Sequence, residues 1–256
     1  VSRKSPEQTA TELGQAIIEA VQEVESFQVI KGFLNLKMSP YYGMGRLQDI
    51  ADTPAYGTKP HSGKTVMVEF SSPHTNKPLP LGHIRNNLLG WSVSRIMEAN
   101  GHRVIKVNLV NDRGIHICKS MLAWQKSGLN TTPESSGQKG DHLVGDFYIL
   151  FEKQYKEQVQ EMVNSGVDRE QALKEAPLMQ EAQSMLVKWE QGDGEVVGLW
   201  KKMNGWVYDG FEQTYSRMGI SFDKTYYESD TYLLGKELVV KGLEEGVFYR
   251  NPDNSV

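Results

Sequence analysis

Residues 68–90, V-E-F-S-S-P-H-T-N-K-P-L-P-L-G-H-I-R-N-N-L-L-G, decide the fold of this chain. The apolar run over residues 65–70 predicts a short buried strand, and the pattern over residues 82–100 predicts a helix that Gly101 ends. Residues 103–110, R-V-I-K-V-N-L-V, predict a second strand. Strand, helix and strand in this order form a β-α-β unit, whose strands lie parallel with a right-handed crossover. The sequence therefore predicts an α/β fold with a parallel sheet.

The start of this helix is predicted to hold phosphates. The first turn of a helix has N–H groups without partners and the positive end of the helix dipole, so an anion is stabilised there. Gly82 allows a ligand to approach the backbone, and His83 adds a hydrogen-bond donor. Because ligands of parallel sheets lie at the carboxyl ends of the strands, a nucleotide site is expected beside residues 71–83. In the alternative interpretation, His83 only caps the helix.

Composition narrows the class of protein. With 256 residues, of which 39% are hydrophobic, the chain can form a sizeable core. A formal net charge of −4 gives no overall attraction to nucleic acid, so any contact with RNA depends on local basic patches. The single Cys118 excludes an internal disulfide, and no apolar run approaches the ~20 residues of a membrane span. No secretory signal is visible, and we expect a cytoplasmic protein with no membrane or DNA partner.

The sequence pattern divides the chain into three parts. Residues 1–47 begin with a helix start at Ser5 and continue into a strand over residues 29–38, which indicates the end of a small α+β module. Residues 48–63 are predicted to be a linker because they are rich in turn formers, namely Pro54, Gly57, Pro60 and Gly63. Residues 64–256 are predicted to be a partial nucleotide-binding domain.

The second half of the chain is predicted to be mostly helical. A helix is expected over residues 112–126, a flexible loop over residues 130–140 and a helical insertion over residues 141–218. The expected elements after the insertion are a strand over residues 224–227, a helix over residues 232–243 and a strand over residues 247–250. Since the chain starts at a valine and ends in a turn-rich sequence, we expect it to be part of a longer protein.

Several segments resemble one family. Residues 71–85 resemble the signature of the class I aminoacyl-tRNA synthetases, usually H-I-G-H and here P-L-G-H, in the sequence context of the arginyl enzymes. Four further segments are similar to arginyl-tRNA synthetases, at residues 107–117, 139–146, 188–207 and 223–236. The likeness covers nearly the whole chain. It implies the Rossmann-like catalytic domain of a class I synthetase, preceded in residues 1–47 by the end of a tRNA-binding module.

The resemblance also implies an activity, the ATP-dependent activation of L-arginine to arginyl-adenylate and its transfer to tRNA(Arg). ATP with Mg²⁺ would be a substrate, and no tightly bound cofactor or metal site is expected. The partners would be arginine, ATP and tRNA(Arg). By the same resemblance, Gly82 and His83 would bind ATP and act in catalysis. The signature and its context comprise His74, Pro80, Leu81, Gly82, His83 and Ile84.

A substrate guanidinium sets its own requirement on the site. It is always charged and presents a planar fork of donors, so its pocket needs carboxylates or other acceptors nearby. Glu69 and Glu228, each predicted at the end of a strand, are the candidates. The resemblance matches both, together with Ser72 and His74, to positions that contact arginine. Alternatively, either acid is an ion-pair partner of a neighbouring lysine or arginine.

Two residues depart from the pattern of the family. Pro80 takes the place of the first histidine of the signature and offers no side-chain donor, and His74 takes the place of an asparagine. Loss of one donor to a reacting group lowers a rate by roughly 10²–10³. The alternative function is therefore a non-catalytic RNA-binding or regulatory relative of these synthetases.

Two further features bear on the activity. Another class I synthetase, such as the cysteinyl enzyme, would need a zinc site, and the six histidines and Cys118 lack zinc-binding spacing. The lysine-containing second motif of the class is expected beyond Val256, so these 256 residues alone are predicted not to aminoacylate tRNA.

Overall fold

The structure is a computed structural model that describes residues 3–128, 130–252 and 254–256. It divides into two compact units, Val1–Lys59 and Pro60–Val256. The first unit contains two helices and a two-stranded antiparallel sheet. Its elements are α1 (Pro6–Ala20), β1 (Val24–Ile30), β2 (Phe33–Met38) and α2 (Pro40–Asp52).

Two local predictions for the first unit were wrong. The strand predicted over residues 29–38 is a hairpin, because Lys31 and Gly32 adopt positive φ angles of 49° and 81° and reverse the chain between β1 and β2. Residues 48–52, predicted to belong to a linker, continue α2. Ser39 begins that helix by accepting a hydrogen bond from the Tyr42 N–H, and Pro40 suits its first position.

The second unit is built on a three-stranded parallel sheet in the order β3-β4-β5. Its elements are β3 (Thr65–Glu69), α3 (Leu81–Ala99), β4 (Arg103–Val110), α4 (Ile115–Ser127), α5 (Pro133–Ser136), α6 (Gly140–Asn164), α7 (Arg169–Glu175), α8 (Pro177–Glu190), α9 (Gly194–Met218), β5 (Lys224–Tyr227) and α10 (Glu228–Glu244). The α3 helix connects the parallel strands β3 and β4, so the predicted β-α-β unit and α/β fold class are confirmed.

The predicted helical insertion is also confirmed, since α6 to α9 lie between β4 and β5 in the chain. Three of its large and fully buried side chains, Phe151, Met203 and Val207, share one core cluster with Met121 of α4. Burial of such side chains stabilises each by about 1.5–3 kcal/mol relative to exposure. The insertion is therefore packed against the helix that follows β4.

The predicted strand over residues 247–250 was wrong. The N–H groups of Val247 and Phe248 both donate to the carbonyl of Gly242, at 2.8 and 2.9 Å, and Gly246 has a φ of 69°. These bonds satisfy the free carbonyl at the end of α10, and the Phe248 ring covers Gly242. Apolar residues after a helix here form its terminus instead of a strand.

The remaining observations on the fold concern the loop before α6 and the character of the helices. The predicted flexible loop over residues 130–140 contains the short helix α5, which Thr132 caps. Across residues 3–128, 130–252 and 254–256, no helix combines the length and the apolarity that crossing a membrane requires.

The packing of α3 on β3 gives a first prediction. Gly90 of α3 lies against the ring of the buried Phe70, and a Cβ there would overlap that ring. We expect Gly90→Ala to lower the free energy of unfolding by about 1–3 kcal/mol, as overpacking does in other cores. The measurement is urea denaturation of the 256-residue chain.

The matched control is Gly198→Ala in α9, where a new Cβ meets nothing within 4 Å. Because alanine favours the helix over glycine, this variant should be more stable than the wild type by up to about 1 kcal/mol. Equal effects of the two substitutions would contradict close packing of Gly90 on Phe70.

Candidate active site

The chain leaves β3 through a strained turn. Ser71 and Ser72 have φ angles of 78° and 48°, a left-handed conformation that is costly for residues other than glycine. Two long-range hydrogen bonds hold the turn: the Ser71 hydroxyl lies 2.7 Å from the Tyr215 hydroxyl, and the Ser72 N–H donates to Asn108 Oδ1 at 3.0 Å. Strain that is maintained by buried partners is typical of functional sites.

Beyond the turn, the chain runs beside the end of β4. The Asn111 N–H donates to the Pro73 carbonyl at 2.9 Å, and the Thr75 N–H donates to the Asn111 carbonyl at 3.1 Å. These bonds form a parallel bridge between His74 and Asn111. The segment that carries the predicted site residues is thus fixed to the carboxyl edge of the sheet.

The signature residues lie at the start of α3. Pro80 is the N-cap and makes no side-chain hydrogen bond, while its carbonyl accepts from the N–H groups of His83 and Ile84 at 2.9 and 3.2 Å. Leu81 is 85% exposed, and the space beside Gly82 is open. A ligand therefore has free access to the first turn of the helix, where N–H groups lack intrahelical partners.

Positive charge and burial control the protonation of the site histidines. Burial lowers the pKa of His83 from its ordinary 6.5, a hydrogen bond to the Ser72 backbone opposes this shift, and Lys77 adds to it. Burial, Lys77 and His116 lower the pKa of His74, against the attraction of Glu228. Both imidazoles are consequently neutral near pH 7, and a neutral His74 does not repel a cationic substrate.

The two predicted arginine-binding acids lie on opposite sides of β4. Glu69 ends β3, is exposed, and accepts a hydrogen bond from the Ser72 hydroxyl at 3.1 Å. Glu228 begins α10 directly after β5, and its carboxylate lies 3.9 Å from the guanidinium of Arg113. The structure thus places both acids at the carboxyl edge and gives Glu228 a cationic neighbour.

Asp112 and Arg113, which sequence reasoning missed, form the centre of this edge. Asp112 is 1% exposed and accepts five hydrogen bonds, whose donors lie on Trp200, Asn204, Tyr208 and Ser229. Arg113 pairs with Glu190 at 2.7 Å and stacks on the rings of Tyr232 and Trp189 at 3.9 and 5.3 Å. The signals in the sequence were that N-D-R-G directly follows a predicted strand and lies in a segment, residues 107–117, that resembles the family.

Groups that attract phosphates are present, whereas a metal cluster is not apparent. The helix start at residues 81–83, His83 and Lys77 supply donors and positive charge beside the strained turn. In the part of the chain that the structure describes, no three histidine, cysteine, aspartate or glutamate side chains come together as metal ligands.

Comparison with known proteins gives a consistent result. Residues 48–249 match the family model "tRNA synthetases class I (R), catalytic domain". The chain is 56% identical to an arginine–tRNA ligase of Porphyromonas gingivalis and 55% identical to one of Bacteroides fragilis, covering all of this chain and 43% of each relative. The chain thus spans less than half the length of the curated relatives that it matches.

Solved structures give the same family. The arginyl-tRNA synthetase of Thermus thermophilus superposes with a TM-score of 0.55 at 25% identity, over 93% of this chain and 35% of that one. The arginyl-tRNA synthetase of Plasmodium falciparum, at 19% identity and a TM-score of 0.51, shares the fold.

The lowered histidine pKa values predict a loss of stability in acid. For His116, burial and Lys119 lower the pKa below 6.5, against Glu152, so the unfolded chain takes up the proton first as the pH falls. The stabilising contribution is complete above pH 6.5 and is lost as the pH falls through the folded pKa. We therefore expect the wild type to lose more unfolding free energy than His116→Gln between pH 7 and pH 5, measured by urea denaturation.

His116→Gln also removes the 3.2 Å contact with the Tyr148 hydroxyl, so only the change between the two pH values is compared. Equal losses in both proteins, or a smaller loss in the wild type, would show that burial does not disfavour the charged imidazole.

Proposed function

This chain belongs to the class I arginyl-tRNA synthetases, and we propose that the protein activates L-arginine with ATP and transfers it to tRNA(Arg). The observation that carries the proposal is the combination of Gly82 and His83 at an open helix start with a strained turn beside it. A phosphate lying there meets backbone N–H groups and the positive end of the α3 dipole.

The proposed chemistry needs positioning and charge stabilisation. A carboxylate oxygen of arginine attacks the α-phosphorus of ATP, a new P–O bond forms, and the bond to pyrophosphate breaks. The N–H groups at residues 81–83 and the His83 donor stabilise the charge that develops on the phosphate oxygens. A terminal hydroxyl of the tRNA then attacks the arginyl carbonyl, and AMP leaves. ATP is proposed to enter with Mg²⁺, which shields its phosphates.

The guanidinium end of arginine is proposed to lie by the acids of the carboxyl edge. Glu69 is oriented by the Ser72 hydroxyl, and Glu228 keeps 36% of its side chain exposed although Arg113 is near. A guanidinium fork pairs well with carboxylates of this kind. The neutral His74 offers one donor or one acceptor beside them.

The proposal extends to the organisation and partners of the protein. Residues 64–256 are proposed to be part of the catalytic domain and residues 1–47 part of a tRNA-binding module, with residues 53–63, after the end of α2, as the connection. Membership of the family supports tRNA, arginine and ATP as partners. We propose no DNA or membrane partner. The cytoplasm is the proposed location, because this reaction supplies protein synthesis.

A second candidate function is supported by two residues. Pro80 caps α3 without a side-chain donor, and His74 also departs from the signature. Both features favour a non-catalytic relative that binds RNA.

Arginine-dependent exchange of pyrophosphate into ATP tests the proposal. We expect the full-length protein to catalyse this exchange with arginine and not with lysine or cysteine, and the 256-residue chain to be inactive alone. His83→Ala should lower kcat by about 10²–10³, since one donor to the transition state is lost.

The matched control is His102→Ala. His102 bonds the Ser62 hydroxyl at 2.7 Å, just before β4 begins and far along the strand from the carboxyl edge, so kcat should stay unchanged. No arginine-dependent exchange in the full-length protein, together with retained RNA binding, would establish the non-catalytic function instead.

Pro80 gives a separate prediction. Pro80→His restores a donor at the N-cap of α3, and we expect kcat of the exchange reaction to rise by about 10-fold or more. The KM for arginine should change little, because the N-cap faces the phosphates in this proposal. A fall in kcat would mean that proline is required at the helix start.

A further inference from the structure

We propose that Asp112 is a positioning residue for recognition of the amino acid: through Ser229 it fixes Glu228, and it ties that acid to the helical insertion. The inference rests on the proposed function, since Glu228 is taken as an arginine-binding acid. Asp112 itself touches no substrate.

The first step is the pair of hydrogen bonds between Asp112 and the start of α10. Its Oδ1 accepts the Ser229 N–H at 2.8 Å, and its Oδ2 accepts the Ser229 hydroxyl at 2.7 Å. Ser229 lies in the first turn of the helix, where N–H groups have no intrahelical partner and a negative charge is favoured. Asp112 therefore caps α10 from another part of the chain and restrains the residue next to Glu228.

The second step is the set of hydrogen bonds between the helical insertion and Asp112. Tyr208 donates to the same carboxylate at 2.9 Å, and the carbonyl of Asp112 accepts from Trp200 Nε1 at 2.6 Å and from Asn204 Nδ2 at 3.0 Å. All three donors are on α9. Because Asp112 is almost fully buried, water cannot replace these bonds without opening the structure.

The third step is the contact between Arg113 and Glu228. The guanidinium of Arg113 lies between the carboxylates of Glu190, at the end of α8, and Glu228, at 2.7 and 3.9 Å. The Tyr232 ring of α10 covers it at 3.9 Å. The contact with Arg113 therefore also restricts the position of the Glu228 carboxylate.

These contacts are expected to affect the binding of arginine and not the binding of ATP. The hydrogen bonds of Ser229 act on α10 and on Glu228, while the phosphate-binding groups lie on α3 and on the turn after β3. Loss of a hydrogen bond between Ser229 and Asp112 should therefore weaken amino-acid binding and leave nucleotide binding unchanged. A general loss of structure would affect both.

The test is Ser229→Ala in the full-length protein, with the arginine-dependent exchange reaction as readout. We expect the KM for arginine to rise by about 10-fold, with kcat and the KM for ATP within about twofold of the wild type. Ser229→Thr keeps the hydroxyl and should restore the KM for arginine. The control is Thr231→Val, which removes a 3.1 Å bond to the Tyr227 carbonyl in the same turn without touching Asp112, and it should leave the KM for arginine unchanged.

The outcomes separate this inference from the proposed function. If the wild type shows no arginine-dependent exchange, the proposed function fails and the inference falls with it. If the wild type is active and Ser229→Ala leaves the KM for arginine unchanged, or raises both KM values equally, the inference alone is overturned. A KM for arginine in Ser229→Thr as high as in Ser229→Ala also overturns it.

Discussion

The burial of one carboxylate governs the arrangement of the proposed site. A charged group that is removed from water needs most of its acceptor positions filled. The Asp112 carboxylate accepts three hydrogen bonds, from Tyr208 on α9 and from the N–H and hydroxyl of Ser229 on α10, and the Asp112 backbone carbonyl accepts two more from α9. These donors come from segments about a hundred residues further along the chain. The end of β4, the helical insertion and the start of α10 must therefore come together for the charge to be tolerated.

The fold could be predicted where the signal was local. The strand, helix and strand of residues 65–110 show their periodicity and their glycine stop in the sequence itself, and the structure confirms them. The predictions failed where a turn was formed by unusual residues or by a helix end. Lys31 adopts a left-handed conformation, which a lysine in the sequence does not predict. Residues 247–248 donate hydrogen bonds to the Gly242 carbonyl, although their apolar character favours a strand.

The residues of the candidate site could likewise be predicted only where the signal was local. Gly82 and His83 were recognisable because a helix start is a local feature, whereas Asp112 depends on partners 88 to 117 residues away. The left-handed serines of the turn after β3 were equally unpredictable, since the groups that hold them, Asn108 and Tyr215, are distant in the chain. Family resemblance indicated which segments matter, and the contacts show how they are joined.

The central claim is that Asp112 joins the insertion to the carboxyl edge of the sheet as one cooperative body. Hydrogen exchange of the Ser229 amide and the Trp200 indole N–H in the 256-residue chain tests it most directly. Both should exchange at least about 10³-fold more slowly than unprotected groups, and Asp112→Asn should accelerate both together. Exchange of either N–H group in the wild type at the rate of an unprotected group would contradict the claim. Faster exchange of only one of the two groups in Asp112→Asn would contradict it as well.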